Sequence, residues 1–287
     1  MPELPQVEAL VRLLRGDLVG HVITRVEVGS PSVLKTFAYP PERLVGQEIT
    51  AVTRHGKFLD IGAPPLHSVF HLARAGWLVW HDDLPERKAG PGRGRIALRI
   101  GLDSGAGFDL TEAGTKHRLA VYIVVDPCEV PAIQGLGIDP LTPEFTVNAL
   151  QELLSAAGRT RLKGLLRDQR VIAGIGNAYS DEILHDARLS PFKPCSALSP
   201  EEVKRLYTAI VGGLKDALDH TQELTAAQLK ADKRTRLRIH GRTGEPCPDC
   251  GMAIAEVSFA DSSLQYCPHC QTGGKVLADR RMSRLLK

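Results

Sequence analysis

Residues 241–250 read Gly-Arg-Thr-Gly-Glu-Pro-Cys-Pro-Asp-Cys, and a second cysteine pair follows in Cys267-Pro-His-Cys270. Each C-x-x-C turn presents two thiolates, and zinc takes four in a tetrahedron. The intervening residues 251–266 have the length of a β-hairpin. A module this small has no core without the metal, so zinc binding is part of its folding. Cys247, Cys250, Cys267 and Cys270 are therefore the expected ligands of one structural Zn2+ ion. Four protein ligands leave no open position, which excludes a catalytic role for the metal. The competing reading of two C-x-x-C pairs is a pair of redox dithiols.

Outward from the module the chain is basic. Residues 230–242 carry Lys230, Lys233, Arg234, Arg236, Arg238 and Arg242 against Asp232, and residues 273–287 carry Lys275, Arg280, Arg281, Arg284 and Lys287 against Asp279. Basic runs flanking a zinc hairpin suit phosphate contacts. Further upstream, Gly174-Ile-Gly-Asn177 lies between helical stretches at 161–168 and 177–187. The glycines allow tight turns, and the amides and dipole of a following helix start attract anions. Helical patterns also cover 145–154 and 200–219, the latter capped by Ser199 with Glu201 and Glu202 at its positive end.

The first half differs. After a helical pattern over 5–18 (Val7, Leu10, Leu14, Leu18), strand-like runs occupy 22–28, 49–61, 68–72, 76–80, 96–100, 107–110 and 119–125. His55-Gly56 falls where a hairpin turn is needed. Residues 85–95, rich in Gly, Pro and Arg, read as a loop. The strand spacing suggests a sandwich or flattened barrel. Residues 130–144 hold Pro131, Pro140 and Pro143 with Gly135 and Gly137 and read as a linker. The expected organisation is α+β: a β-sandwich domain with a leading helix at 1–130, a linker at 131–144, a helical domain at 145–240, and a zinc finger with basic tail at 241–287.

Composition narrows the class. The chain has 287 residues, 43% apolar and 24% charged, with a net charge of +3. That suits a soluble globular protein. No apolar run reaches the length of a membrane span, and residues 1–10 lack the pattern of a signal peptide. A cytoplasmic or nucleoid location and a monomeric state are expected, with no membrane partner. The paired cysteines fit a reducing compartment, and Cys128 and Cys195 read as buried or idle thiols.

Met-Pro-Glu-Leu-Pro-Gln-Val-Glu at the start, the G-I-G-N turn and the zinc hairpin, in this order, resemble the formamidopyrimidine-DNA glycosylase and endonuclease VIII family. The resemblance runs the whole length. It implies a β-sandwich joined to a helix–two-turn–helix domain and a zinc finger, and damaged DNA as partner. It implies that the Pro2 nitrogen, once Met1 is removed, attacks C1′ of a damaged nucleotide, expels the base and eliminates the 3′ phosphate, after which the 5′ phosphate can follow. Glu3 matches the family's acid/base carboxylate. Lys57 matches its hairpin lysine at phosphate, so Pro2, Glu3 and Lys57 form the expected catalytic set. His71, Arg74, Lys163, Asn177 and Arg242 join Lys57 as expected DNA contacts.

The sequence also departs from the family pattern. Gln6 replaces a glutamate, and an amide cannot take a proton as a carboxylate does. Arg74 stands where a void-filling methionine is usual. The wedge after the Asp-Pro turn is missing, leaving Lys116, His117 and Arg118 as its substitutes. The segment before the zinc module is short, and a zinc-hairpin arginine falls at Ser262. These changes argue against ordinary 8-oxoguanine recognition while leaving Pro2 and Glu3 in place. The expected activity is that of a bifunctional glycosylase and abasic-site lyase. The alternatives are a lyase with little base excision, and a non-catalytic DNA-damage binding protein.

Overall fold

In a computed structural model, which describes residues 1–87, 89, 96–113, 117–259 and 262–278, the leading helix α1 (Leu4–Leu18) buries Val7, Leu10, Val11, Leu14 and Leu18. These side chains repeat at helical spacing and form one stripe. That stripe enters the core of a two-sheet body. Its strands are β1 (Ile23–Val28), β2 (Ala51–His55), β3 (Phe58–Ala63), β4 (Leu66–His71), β5 (Gly76–His81), β6 (Ile96–Leu102), β7 (Gly107–Glu112) and β8 (Ala120–Val124). One sheet has the order β1-β6-β7-β5 and the other β2-β3-β4-β8. Every pairing is antiparallel. Leu98, Ile100 and Phe108 of the first sheet share a core with Ile61, Phe70 and Ile123 of the second. Phe70 and Phe108 meet edge to face with centroids 6.1 Å apart, an arrangement that aromatic rings favour. The expected sandwich with a leading helix is the fold observed.

The stretch expected as a linker opens with a short helix, α2 (Pro131–Gln134). Its Ile133 is buried with Val130, Phe58, Val69 and Val124. Helices α3 (Val147–Ala157), α4 (Leu162–Arg167), α5 (Asn177–Asp186) and α6 (Pro200–His220) follow. Helix α3 starts two residues later than its apolar pattern suggests, because Thr146 Oγ1 accepts the Ala149 amide at 3.1 Å and caps it. Ser199 caps α6 as expected, accepting the Glu202 amide at 3.3 Å, while the Glu202 carboxylate takes the Ser199 amide at 2.9 Å.

Helix α7 (Ala226–Arg236) was not expected. Its basic sequence hides it, yet Thr225 and Gln228 form a reciprocal capping pair at its start, a recognised helix-start signature. After α7 come the hairpin strands β9 (Ala255–Ser258) and β10 (Ser263–Tyr266), then α8 (Pro268–Thr272). The hairpin sits between the cysteine pairs, as the spacing implied. Part of the expected 85–95 loop, Lys116, the side chains of Lys233 and Arg234, and the tail from residue 279 lie outside the described residues.

Packing divides the chain into two units, Met1–Leu136 with Leu218–Asp232, and Gly137–Ala217 with Lys233–Lys287. The first thus takes back a segment from far along the chain. Leu229 enters the sandwich core, and Trp77 Nε1 donates to the Ala226 carbonyl at 3.0 Å. In the second unit, Gly137 runs so close to the turn at residues 170–171 that a Cβ there would lie 2.3 Å from Val171 O. Only glycine fits.

Leu229→Ala is expected to lower unfolding stability in urea by about 2–5 kcal/mol. The exposed neighbour substitution Lys230→Ala is expected to stay within about 0.5 kcal/mol. Equal stability of the two variants would show that the returning segment is not anchored.

Candidate active site and nucleic-acid interface

The start of α1 is built around Glu3. Its backbone amide donates to Gln6 Oε1 at 3.1 Å, and its carboxylate accepts the Gln6 amide in return. Both side chains are buried, as is Pro2. The carboxylate therefore sits at the positive end of a helix fixed in the core. While Met1 is attached, the Pro2 nitrogen is an amide and its lone pair is delocalised. Removal of Met1 makes it a secondary amine. An α-amino group titrates near pH 8, so such an amine keeps a nucleophilic fraction near neutrality.

The same helix positions the Lys57 hairpin. Glu8 Oε2 accepts Arg54 Nε at 2.7 Å, and Arg54 Nη1 donates to the Gly56 carbonyl at 3.1 Å. Gly56 holds φ +57 in the two-residue turn between β2 and β3, where glycine carries no Cβ penalty. Lys57 follows and is buried at 8% exposure. Across the ladder, Phe58 pairs with His71, their rings 4.7 Å apart. Burial, and then the charge of Lys57, push the His71 imidazole down to about 4. His71 is thus neutral at pH 7 and stands beside a cation.

Arg74 is exposed on the turn between β4 and β5. Ala73 takes φ +50 there, a strained region for a residue with a Cβ. The Gly76 amide closes the turn on the Leu72 carbonyl at 2.9 Å. At the base of the wedge-substitute loop, the buried carboxylate of Glu112 accepts the amides of Arg118 and Leu119 at 2.6 and 2.9 Å. His117 and Arg118 are exposed, and Lys116 is outside the described residues.

In the second unit the glycine turn is stapled by one side chain. Gln169 accepts the Gly174 amide at 2.9 Å and donates to the Ile175 carbonyl at 2.8 Å. Helix α5 then starts at Asn177, whose Nδ2 donates to the Ser263 carbonyl of β10 at 2.7 Å. An amide nitrogen carries two hydrogens, and the Ser263 carbonyl takes one of them. Asn177 Oδ1 is buried and lacks a hydrogen-bond partner among the described residues.

Two of the expected DNA contacts are engaged within the protein itself. Lys163 is buried, its ammonium held by Asp181 Oδ1 at 2.6 Å, Ser180 Oγ at 2.8 Å and the Asn177 carbonyl at 3.1 Å. An ammonium has three donors, and here it braces α5 from inside. Arg242 turns back on its own chain, with Nε on the Leu237 carbonyl, Nη2 on the Thr235 carbonyl and Nη1 on Glu245. Sequence reading missed Glu8, Arg54, Gln169, Asp181 and Glu182, which position the others. Their signals were weak, because each acts on partners distant in sequence or on backbone.

The four cysteine sulfurs lie within 4.8 Å of one another, with Cys250–Cys267 at 3.4 Å and Cys247–Cys270 at 4.0 Å. A tetrahedral zinc with bonds near 2.3 Å needs sulfurs about 3.8 Å apart. The tetrad fits that ion. His185 Nε2 lies 3.3 Å from Cys247 Sγ, and Asp249 borders the same cluster.

Family models match the chain along nearly its whole length: the formamidopyrimidine-DNA glycosylase N-terminal domain over residues 1–114, its H2TH domain over 136–228, and the zinc finger found in FPG and IleRS over 244–273. The chain belongs to the formamidopyrimidine-DNA glycosylase family. The formamidopyrimidine-DNA glycosylase of Desulforamulus reducens is 32% identical over 94% of this chain and 99% of its own length. A formamidopyrimidine-DNA glycosylase-like protein of Mycobacterium tuberculosis, described as uncharacterized, is 54% identical over 55% of this chain and 98% of its own. The crystal structure of the MutM (Fpg) protein from Thermus thermophilus matches with TM-score 0.79 and 30% identity, covering 96% of this chain and 100% of that one. A Lactococcus lactis Fpg in complex with abasic-site DNA matches with TM-score 0.81 and 25% identity, over 94% of this chain and 99% of that one. Among the described residues no helix is long and apolar enough to cross a membrane.

The depressed His71 value has a measurable sign. Between its folded value near 4 and the ordinary 6.5, the unfolded chain binds the extra proton. The His71 contribution to stability therefore falls as pH drops through that window. NMR titration of the His71 imidazole in the DNA-free protein is expected to show a midpoint far below 6.5. A midpoint at or above 6.5 would contradict the buried, lysine-facing environment.

Proposed function

We propose that this protein is a base-excision DNA glycosylase that also cleaves at abasic sites, with the Pro2 amine as nucleophile and one structural zinc ion in its finger. The observation that carries the reading is the construction of the α1 start. Pro2 and Glu3 are fixed there by the Glu3–Gln6 capping pair, and the Glu8–Arg54–Gly56 relay ties the Lys57 hairpin to the same helix. Lys57 and His71 bind phosphate on the first unit and Asn177 on the second. Exposed Arg74 fills or braces the gap left by a flipped nucleotide. Base flipping costs a few kcal/mol, and phosphate contacts offset it. Damaged DNA is the partner of a monomer in the cytoplasm.

The chemistry follows from the groups present. The neutral Pro2 amine attacks C1′, and the C1′–N bond breaks with its electron pair leaving on the base, which takes up a proton. The ammonium then loses its hydrogen. Glu3, protonated, gives its proton to O4′ as the sugar ring opens to an iminium. Loss of a C2′ proton turns the iminium into an enamine, and its electrons expel the 3′ phosphate. The zinc tetrad takes no part in these steps. Its four thiolates hold the ion that folds the hairpin beside α5.

One residue favours the lyase half of the reaction. Gln6 already gives its carbonyl oxygen to the Glu3 amide, and its amide cannot shuttle a proton during base departure.

Borohydride trapping on duplex DNA with a preformed abasic site is expected to yield a covalent adduct with protein lacking Met1, and none with protein that retains it. Gln6→Glu is expected to raise adduct formation on formamidopyrimidine-containing DNA at least about tenfold, within the usual span of proton-transfer catalysis, while leaving the abasic substrate nearly unchanged. No adduct from Met1-free protein on abasic DNA would refute the amine mechanism.

A further inference from the structure

The imidazole of His185 is buried at 1% exposure on α5, and its Nε2 lies 3.3 Å from Cys247 Sγ. Cys247 is itself buried at 3% exposure. We propose that His185 donates its Nε2 hydrogen to the Cys247 thiolate and is a positioning residue for the zinc tetrad, tying the metal to the helix that begins with the phosphate-binding Asn177. This rests on the zinc reading of the four cysteines and goes beyond it.

Four thiolates around one divalent cation leave a net charge of about −2. Charge on sulfur makes a thiolate more reactive toward electrophiles and easier to protonate, and a donor hydrogen bond disperses it. A neutral imidazole has one N–H and one lone pair. A lone pair aimed at a thiolate at this distance repels it, so the Nε2–H tautomer is the one the site selects. Asp249 supports the same choice. Its Oδ2 lies 3.9 Å from His185 Nε2, while Oδ1 is held by Arg238. The imidazole hydrogen therefore faces a thiolate and a carboxylate.

The consequence reaches along α5. His185 and Asn177 stand eight residues apart on one helix, about 12 Å along its axis. The Asn177 amide is bonded to the Ser263 carbonyl of the zinc hairpin. The hairpin is thus pinned to α5 at its metal end by His185 and at its β10 edge by Asn177. A ring without a donor would fill the space at 185 but release the metal end.

The test uses the full-length protein and needs no DNA. Zinc content by plasma mass spectrometry comes first; less than one zinc per chain in freshly purified protein would refute the underlying zinc reading rather than the hydrogen bond. His185→Phe keeps a ring and removes the donor. His185→Gln keeps an amide donor. Zinc transfer to a chromogenic chelator is expected to be about 10–100-fold faster in the Phe variant, the usual cost of losing a group that supports a metal ligand. In the cobalt-substituted protein, the sulfur-to-metal charge-transfer band is expected to move to lower energy, because the freed thiolate is more electron-rich. The Gln variant is expected to keep both properties near wild type. A Phe variant with wild-type release and band position would overturn the proposal. So would a Gln variant that loses zinc rapidly with its helical circular dichroism intact, since the donor would then not be what holds the site.

Discussion

Glu182 accepts three successive backbone amides, those of Arg238, Ile239 and His240, at 2.9, 3.0 and 2.8 Å. A single carboxylate on α5 thus fixes the chain as it leaves α7 and enters the zinc module. Its neighbour Asp181 takes the Lys163 ammonium on one oxygen and His240 Nδ1 on the other, at 2.6 and 2.7 Å. Asp181 and Lys163 are buried. Breaking such a pair by removing one partner costs about 3–5 kcal/mol, because it strands a charge away from water. Asn177 holds β10, and Gln271 of α8 donates to the Leu189 carbonyl just beyond α5 at 3.0 Å. One ten-residue helix, with the residues just beyond it, therefore holds residues 238–240, the hairpin strand β10 and α8 together. Without it, the four cysteines and the glycine turn would share no frame.

The first unit solves a different problem with similar means. The proposed nucleophilic amine would be useless if the terminus frayed, and termini fray unless tied down. Here the helix that follows Pro2 is sunk into the sandwich core. Its capping pair spends the Glu3 amide and the Gln6 carbonyl on each other, so the start of the helix does not unwind. The Glu8–Arg54 pair then carries that fixed frame to the Lys57 turn. The position of residue 2 is set by apolar burial at residues 7 to 18.

What could be read in the sequence divides along physical lines. The cysteine tetrad was legible because its spacing is local and its chemistry admits few geometries. Strands, α1 and α6 were legible from period and caps. Pro2 and Glu3 carried no local signal, and only the resemblance of the whole chain to one family drew attention to them. Helix α7 was overlooked although Thr225 and Gln228 spell a capping pair, because its basic run drew the eye to phosphate. The burial of Lys163 was not legible for a related reason. A lysine is usually exposed, and nothing local announces that Asp181 waits for it one helix later. His185 was invisible, since its partner Cys247 lies on a different module. Side chains that position others act across the fold, where periodicity and spacing say nothing.

The central claim is that α5 and the zinc hairpin form one cooperative structure. Hydrogen exchange of the zinc-loaded protein, before and after chelation, tests it most directly. The account predicts that stripping the metal exposes the α5 amides and those of Arg238, Ile239 and His240 together, while the strands β3, β4 and β7 keep their protection. Continued protection of α5 in the zinc-free protein, with exchange confined to residues 244–273, would contradict it.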